Sequence, residues 1–222
     1  MPADSNDQST GVLPRVSRLR RVARSLWRTP ERLLHPQRRR AALRRLSRRP
    51  WPRVVVVLCH GNICRSPYAA ARLHRTLPPP LRDVVRIESA GFFGPGRACP
   101  EAALDVAAGR GVDLSRHRSR VVTHDDVAAA DLIVVMDEVQ RWAVRALFGG
   151  HRREVLVLGD LDPEPIETRE IEDPVERPGQ VFERTYSRID RCVRQLVDAL
   201  GAAAKPVPAG TVAPLARREV TT

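Results

Sequence analysis

No stretch of this 222-residue chain approaches the ~18–20 continuous apolar residues of a membrane-spanning helix. The longest apolar run, Val54 to Cys59, has the length of a strand. Cysteine is scarce: four residues at irregular spacing do not make a disulfide framework. That scarcity predicts a reducing compartment, the cytoplasm. No internal repeat is present. Acidic residues are nearly missing from the first fifty positions, where 14 arginines face Asp4, Asp7 and Glu31. This net of +11 leaves just +1 of the chain's +12 for residues 51–222. The basic character therefore belongs to a separate segment, and the high average charge says nothing about what the rest of the chain binds.

What is present divides the chain into three parts. Residues 1–12 are polar, as expected of a disordered terminus. Leu13, Val16, Leu19, Val22, Ala23, Leu26 and Trp27 then recur at helical spacing among arginines. Pro30 and Pro36 interrupt the pattern, a weaker basic stretch runs from Arg38 to Arg49, and Pro50 and Pro52 flank Trp51 at a boundary. The expected organisation is an Arg-rich extension over 1–50, partly helical or disordered, one α/β domain over 51–201, and a flexible tail over 202–222. The extension has several readings. It is a solvated tail or sequence upstream of the true start; it contacts an anionic membrane or nucleic acid through residues 13–49; or it is a transit peptide, which Pro30 and Pro36 fit poorly.

From Arg53 onward strands alternate with helices. Val54–Leu58 is a continuous β-branched run, as in a strand buried on both faces. Further strands are predicted at Val84–Glu88, Leu132–Met136 and Val155–Leu158. Helices are predicted over Ser66–Leu77, which must stop before Pro78, over Glu101–Arg110, ended by Gly111, and over Val139–Phe148. Thr123 is a helix cap with Asp125 and Asp126 in the first turn. An acidic, proline-rich loop spans Asp160–Pro178. A last helix runs from about Gln180 to Leu200, with Val181, Phe182, Tyr186, Ile189, Val193, Leu196, Val197 and Leu200 as its buried stripe. Such alternation predicts a parallel sheet covered on both faces, with its site beyond the carboxyl ends of the strands.

The segment leaving the first strand is Cys59-His60-Gly61-Asn62-Ile63-Cys64-Arg65-Ser66-Pro67. Gly61 and Asn62 tolerate the positive φ angles that turn successive backbone N–H groups inward. A ring of such amides cradles an anion, and the following helix adds its positive end. Pro67 suits a first helical turn. Arg65 offers a planar, permanently charged fork for two phosphate oxygens. The same positive surroundings favour the thiolate of Cys59, the nucleophilic form. A nucleotide-binding loop is excluded by the missing Gly-Lys-Ser/Thr ending. Cys59 and Cys64 lack the short spacing and second ligand pair of a zinc site, so no metal and no cofactor is expected.

The run "VVVVLCHGNICRSP" resembles the active-site signature of the low-molecular-weight protein tyrosine phosphatases. The similarity continues through "IESAG", "GVDLSRHRSR", "ADLIVVMDE" and the "DP" before the last helix, covering about residues 53–200. The resemblance implies a four-stranded parallel sheet with helices on both faces. It implies Cys59 as nucleophile, Arg65 as the phosphate-binding arginine, and His60, Gly61, Asn62, Ile63, Cys64 and Ser66 as the phosphate loop. Asn62, Ser66, Ser89 and His117 would form the hydrogen-bond network that shapes it. It also suggests a reversible Cys59–Cys64 disulfide, a redox switch.

Cleavage of a phosphate ester needs an acid for the leaving oxygen. The acidic loop offers Asp160, Asp162, Glu164, Glu167, Glu170, Glu172 and Asp173, and residue chemistry alone does not choose among them. The resemblance selects Asp173, which Pro174 holds extended. Where many family members carry aromatics after Asp-Pro, this chain has Val175 and Glu176. Phe92 and Phe93 either wall a substrate ring or are loop core. The expected activity is hydrolysis of phosphomonoesters, protein phosphotyrosine foremost, through a phosphocysteine. Ile63 stands where phosphoarginine-specific relatives carry threonine, which favours tyrosine over the arginine alternative. Arsenate reduction would need two more cysteines near the third strand, and Asp131–Phe148 has none. A non-catalytic phosphoprotein-binding module would not need Cys59 and Asp173.

Overall fold

A computed structural model describes residues 31–149 and 154–202. The disordered terminus expected over 1–12, the helical pattern over 13–27 and the tail beyond residue 202 lie outside the described residues. Four strands, β1 (Val54–Cys59), β2 (Arg86–Gly91), β3 (Leu132–Val135) and β4 (Glu154–Val157), form one parallel sheet in the order β2-β1-β3-β4. Val54 pairs with Arg86 and Cys59 with Gly91, while Val55 pairs with Leu132 and Leu132 with Glu154. The chain moves from β1 to one side for β2 and to the other for β3. The carboxyl end of β1 is therefore the switch point of the sheet, where the crevice opens.

The strands are short, apolar and β-branched because both faces are covered. Val55, Val57, Leu132, Val134 and Leu156 enter one core layer. It is shared with α2 (Arg65–Thr76), α4 (Glu101–Gly109) and α7 (Gly179–Gly201). Val56, Leu58, Ile133, Val135, Val155 and Val157 enter the other layer, with Val127 of α5 (His124–Ala129) and Val144 of α6 (Glu138–Phe148). Each face takes alternate residues, as the pleat requires. All eight apolar positions expected to face inward from the last helix are buried.

Most boundaries fall within one residue of expectation; β2 and the segment before it depart further. Pro79 and Pro80 occupy the first positions of a short helix, α3 (Pro79–Arg82), where a missing N–H costs nothing. Val85 N–H then closes that turn on the Leu81 carbonyl at 2.9 Å, so β2 starts at Arg86 rather than Val84. Upstream, residues 31–46 are helical (α1). His35, Ala42 and Leu46 of α1 are buried, the last two in the α2/α7 core layer. Arg45 and Arg49 reach Glu154, and Arg49 donates to the Asp131 carbonyl at 2.7 Å. Among the described residues no helix is long and apolar enough to cross a membrane.

Candidate active site

The loop from Cys59 to Arg65 closes on itself at the carboxyl end of β1. Asn62 takes the left-handed conformation (φ +52°), while Gly61 does not; of the two residues expected to allow positive φ, one uses it. With the chain turned there, Asn62 N–H points back to Cys59 Sγ at 3.3 Å. Ser66 Oγ lies 3.0 Å from the same sulfur. The hydroxyl also has Ala90 O within 3.3 Å, and it accepts from Asn62 Nδ2 at 2.9 Å. Its single proton can therefore serve the sulfur when the sulfur is anionic. Cys64 is the N-cap of α2 and makes no side-chain cap bond, so the first-turn amides are not taken by a side chain.

The side chains that resemblance gathers around this loop are together in space. Asn62 Nδ2 donates to Ser89 Oγ at 2.9 Å, and Asn62 Oδ1 accepts from Arg120 N–H at 3.0 Å. His117 Nε2 lies 2.7 Å from the Asn62 carbonyl oxygen, which can only accept, so Nε2 carries the proton. Asn62 is fully buried and braced from α2, from β2 and from the loop of His117 and Arg120, which holds its left-handed backbone in place. Gly91 beside Cys59 permits the close approach: a Cβ there would meet Asn62 N, His60 O and Gly61 C at 2.8–2.9 Å. Tyr186 of α7 donates to the Cys64 carbonyl at 3.2 Å and stacks on Tyr68 with ring centroids 3.8 Å apart.

Arg65 is 2% exposed and spans the crevice to the acidic loop. One terminal nitrogen donates to the Ile171 carbonyl at 3.0 Å, and the other pairs with Asp173 Oδ2. Its buried Nε has no partner among the described residues and is the donor left for an oxyanion. Asp173 is about one-third exposed, and its Oδ1 accepts from Val175 N–H at 3.3 Å. Four of the other acids of the loop are paired elsewhere. Asp160 binds Arg169, Asp162 binds Arg188 and Arg191, Glu164 pairs with Arg191, and Glu172 with Arg184. The carboxylate that meets Arg65 is Asp173.

Phe92 packs against the α5/α6 core layer, whereas Phe93 is 60% exposed, its ring tilted on His60 with centroids 4.8 Å apart. Arg97, which sequence reasoning missed, ties this loop to the phosphate loop. Its guanidinium donates to Gly94 O and Gly61 O, both at 3.0 Å, and to Phe93 O at 3.3 Å. All its acceptors are backbone carbonyls, so no residue pattern announced it. Ile63 and Val175 are partly buried against the α2/α7 core layer. All four cysteines are free and buried. Burial first, then the nearby charges of Asp173 and Cys59, push the Cys64 thiol far above its ordinary value, and burial pushes Cys99 up to about 11.

Comparison with known proteins agrees with this geometry. Residues 54–205 match the family model for low molecular weight phosphotyrosine protein phosphatase. A probable low molecular weight protein-tyrosine-phosphatase, EpsP of Ralstonia nicotianae, is 34% identical over 142 residues, which are 64% of this chain and 91% of that protein. The crystal structure of Erwinia amylovora tyrosine phosphatase amsI superposes with a TM-score of 0.60 at 29% identity, over 67% of this chain and 93% of that one. The YwlE arginine phosphatase from Geobacillus stearothermophilus shares the fold, with a TM-score of 0.58 at 24% identity over 67% of this chain and 92% of that one. With a match that spans the whole sheet and every side chain of the crevice, the chain belongs to the low molecular weight phosphotyrosine protein phosphatase family.

Proposed function

We propose that this protein hydrolyses phosphotyrosine in protein substrates through a phosphocysteine intermediate. One observation carries the reading. The Cys59 sulfur sits inside a loop that offers it an amide and a hydroxyl, and the Arg65 guanidinium joins that loop to the one carboxylate of the acidic loop that reaches it. A phosphate dianion entering the loop takes the Arg65 fork that Asp173 now engages, and frees the carboxyl beside the ester oxygen. The Cys59 thiolate attacks phosphorus, the S–P bond forms as the ester P–O bond breaks, and the leaving phenoxide takes its proton from Asp173. A water then loses a proton to Asp173 as it attacks phosphorus, and the thiolate leaves with the Ser66 hydroxyl pointed at it. No metal or cofactor enters the scheme.

The tyrosine preference is supported by Phe93, whose exposed ring stands over His60, the residue that follows the nucleophile. This supplies an aromatic wall that Val175 and Glu176 do not. A reducing compartment, the cytoplasm, fits a reaction that needs a free thiolate. Cys64, five residues from Cys59, is the partner for a protective disulfide in this reading. Assay of wild type and Cys59→Ser against p-nitrophenyl phosphate and against phosphotyrosine, phosphoserine and phosphoarginine peptides tests it. Turnover by wild type, none by Cys59→Ser and the highest kcat/KM on phosphotyrosine is the expected result. Turnover surviving in Cys59→Ser would sink the mechanism, and a wide preference for phosphoarginine would sink the substrate assignment alone.

A further inference from the structure

Helix α1, residues 31–46, lies upstream of the family match at 54–205, yet it touches the loop that carries the proposed acid at two points. His35 is 6% exposed, and its Nε2 lies 2.9 Å from the Asp162 carbonyl oxygen. A carbonyl only accepts, so His35 donates. The Asp162 side chain in turn is almost wholly buried and holds Arg188 at 3.0 Å and Arg191 at 3.0 Å. Arg188 ties the loop to α7 through the Thr168 and Glu170 carbonyls, both at 2.7 Å. The second contact is Glu31, whose carboxylate accepts from the Arg169 backbone N–H at 3.2 Å. Arg169 itself reaches Asp160 and Glu138. Two residues later Ile171 is pinned by Met136 O on its N–H and by Arg65 on its carbonyl, both at 3.0 Å. Two residues after that stands Asp173.

The loop over 160–173 has no regular structure beyond the 3-10 turn Leu158–Leu161, so its shape is set by these ties. Those from α7, Met136 and α6 are made within the family's matched region; those from Glu31 and His35 are not. We infer that α1 is a positioning element of the catalytic unit, with His35 and Glu31 setting the path of the acid-bearing loop and thereby the aim of Asp173. The inference rests on Asp173 being the acid. Neither residue touches substrate; both act through the backbone of the loop. A carboxyl that is mis-aimed by an ångström loses much of its advantage in proton transfer.

The test uses the full chain and two substrates that differ in their need for an acid. p-Nitrophenolate leaves without a proton, whereas phenolate, like the tyrosine side chain, leaves poorly without one. In Asp173→Ala, kcat/KM for phenyl phosphate should collapse while kcat/KM for p-nitrophenyl phosphate falls far less. In His35→Ala the same pattern should appear at smaller size, about 3- to 10-fold on phenyl phosphate and under about 2-fold on p-nitrophenyl phosphate. His35→Gln, which can still donate to the Asp162 carbonyl, should recover most of the loss. Glu31→Ala should behave as His35→Ala does. Equal losses on both substrates, or none, in His35→Ala while Asp173→Ala keeps its selective loss would overturn the positioning role alone. Absence of a selective loss in Asp173→Ala would remove the acid assignment, and this inference with it.

Discussion

Gly91 and Cys59 face each other across β1 and β2, and the absence of one side chain decides whether the phosphate loop can close. All three atoms that a Gly91 Cβ would meet are backbone, so no rotamer change can relieve the clash. Gly91→Ala should cost about 1–3 kcal/mol in denaturant unfolding and lower kcat/KM at least tenfold, because the displaced atoms are the loop itself. Glu170 makes a different kind of test. Burial and the charge of Asp137, with smaller contributions from Glu31 and Asp173 against the opposing Arg65, raise its carboxyl above the ordinary value. The native state thus holds this proton more tightly than the unfolded chain. Its stability falls as pH rises from the ordinary carboxylate range through the raised native value. Glu170→Gln should therefore melt above wild type at pH 7, with the difference vanishing at pH below about 4, where Glu170 is protonated in both states. Thermal melts across pH decide it; a constant difference at all pH values would show that titration is not the cause. At this scale Cys59 and Arg65 were legible because six residues of local sequence place them. Asp173 was not separable from six other acids by chemistry alone, since its distinction is that it meets Arg65 from 108 residues away.

Among the elements, α5 shows a cap that sequence reveals and structure completes. Thr123 Oγ1 accepts from Asp126 N–H, and the Asp126 carboxylate accepts in return from Thr123 N–H at 2.8 Å, a reciprocal capping box. Asp126 also accepts from Arg120 at 2.7 Å, and Arg120 N–H is the donor to Asn62 Oδ1. The cap of a six-residue helix is thereby linked to the phosphate loop. Burial opposes the Asp126 charge, but the bonds from Arg120 and Thr123 outweigh it and hold its carboxyl below the ordinary value. Its contribution is present above the ordinary aspartate range and is lost as pH falls through the depressed native value. Thr123→Ala should cost about 1 kcal/mol by urea titration. A cost near zero would mean that the residue 123 backbone N–H and Arg120 hold Asp126 without help from the hydroxyl. Elements with a strong period were readable: the apolar run of β1 and the stripe of α7 needed no tertiary information. The start of β2 and the helix α3 were hidden because a proline run reads equally as an end or a beginning, and the choice was made by Leu81 packing into the core.

On the scale of the whole molecule, charge and fold divide the chain at different places. Most of the net charge lies before residue 51, but the packed body starts no later than residue 31, because α1 lays His35, Arg39, Ala42 and Leu46 on it at successive helical turns. Two of these four inward positions are His and Arg, which is why hydropathy read the segment as a weak basic stretch. Arg39 bonds Gln195 of α7, and Leu46 is 1% exposed in the same core layer that holds Cys59. Removing its side chain takes away buried methyl and methylene groups and leaves a void that a helix held from one side closes incompletely. Leu46→Ala should therefore cost about 2–4 kcal/mol in denaturant unfolding. Leu33→Ala, on the outward face of the same helix at 72% exposure, should change stability by less than about 0.5 kcal/mol. If α1 were an appendage outside the cooperative unit, both substitutions would leave the main transition unmoved, and Leu46→Ala would be the variant that says so.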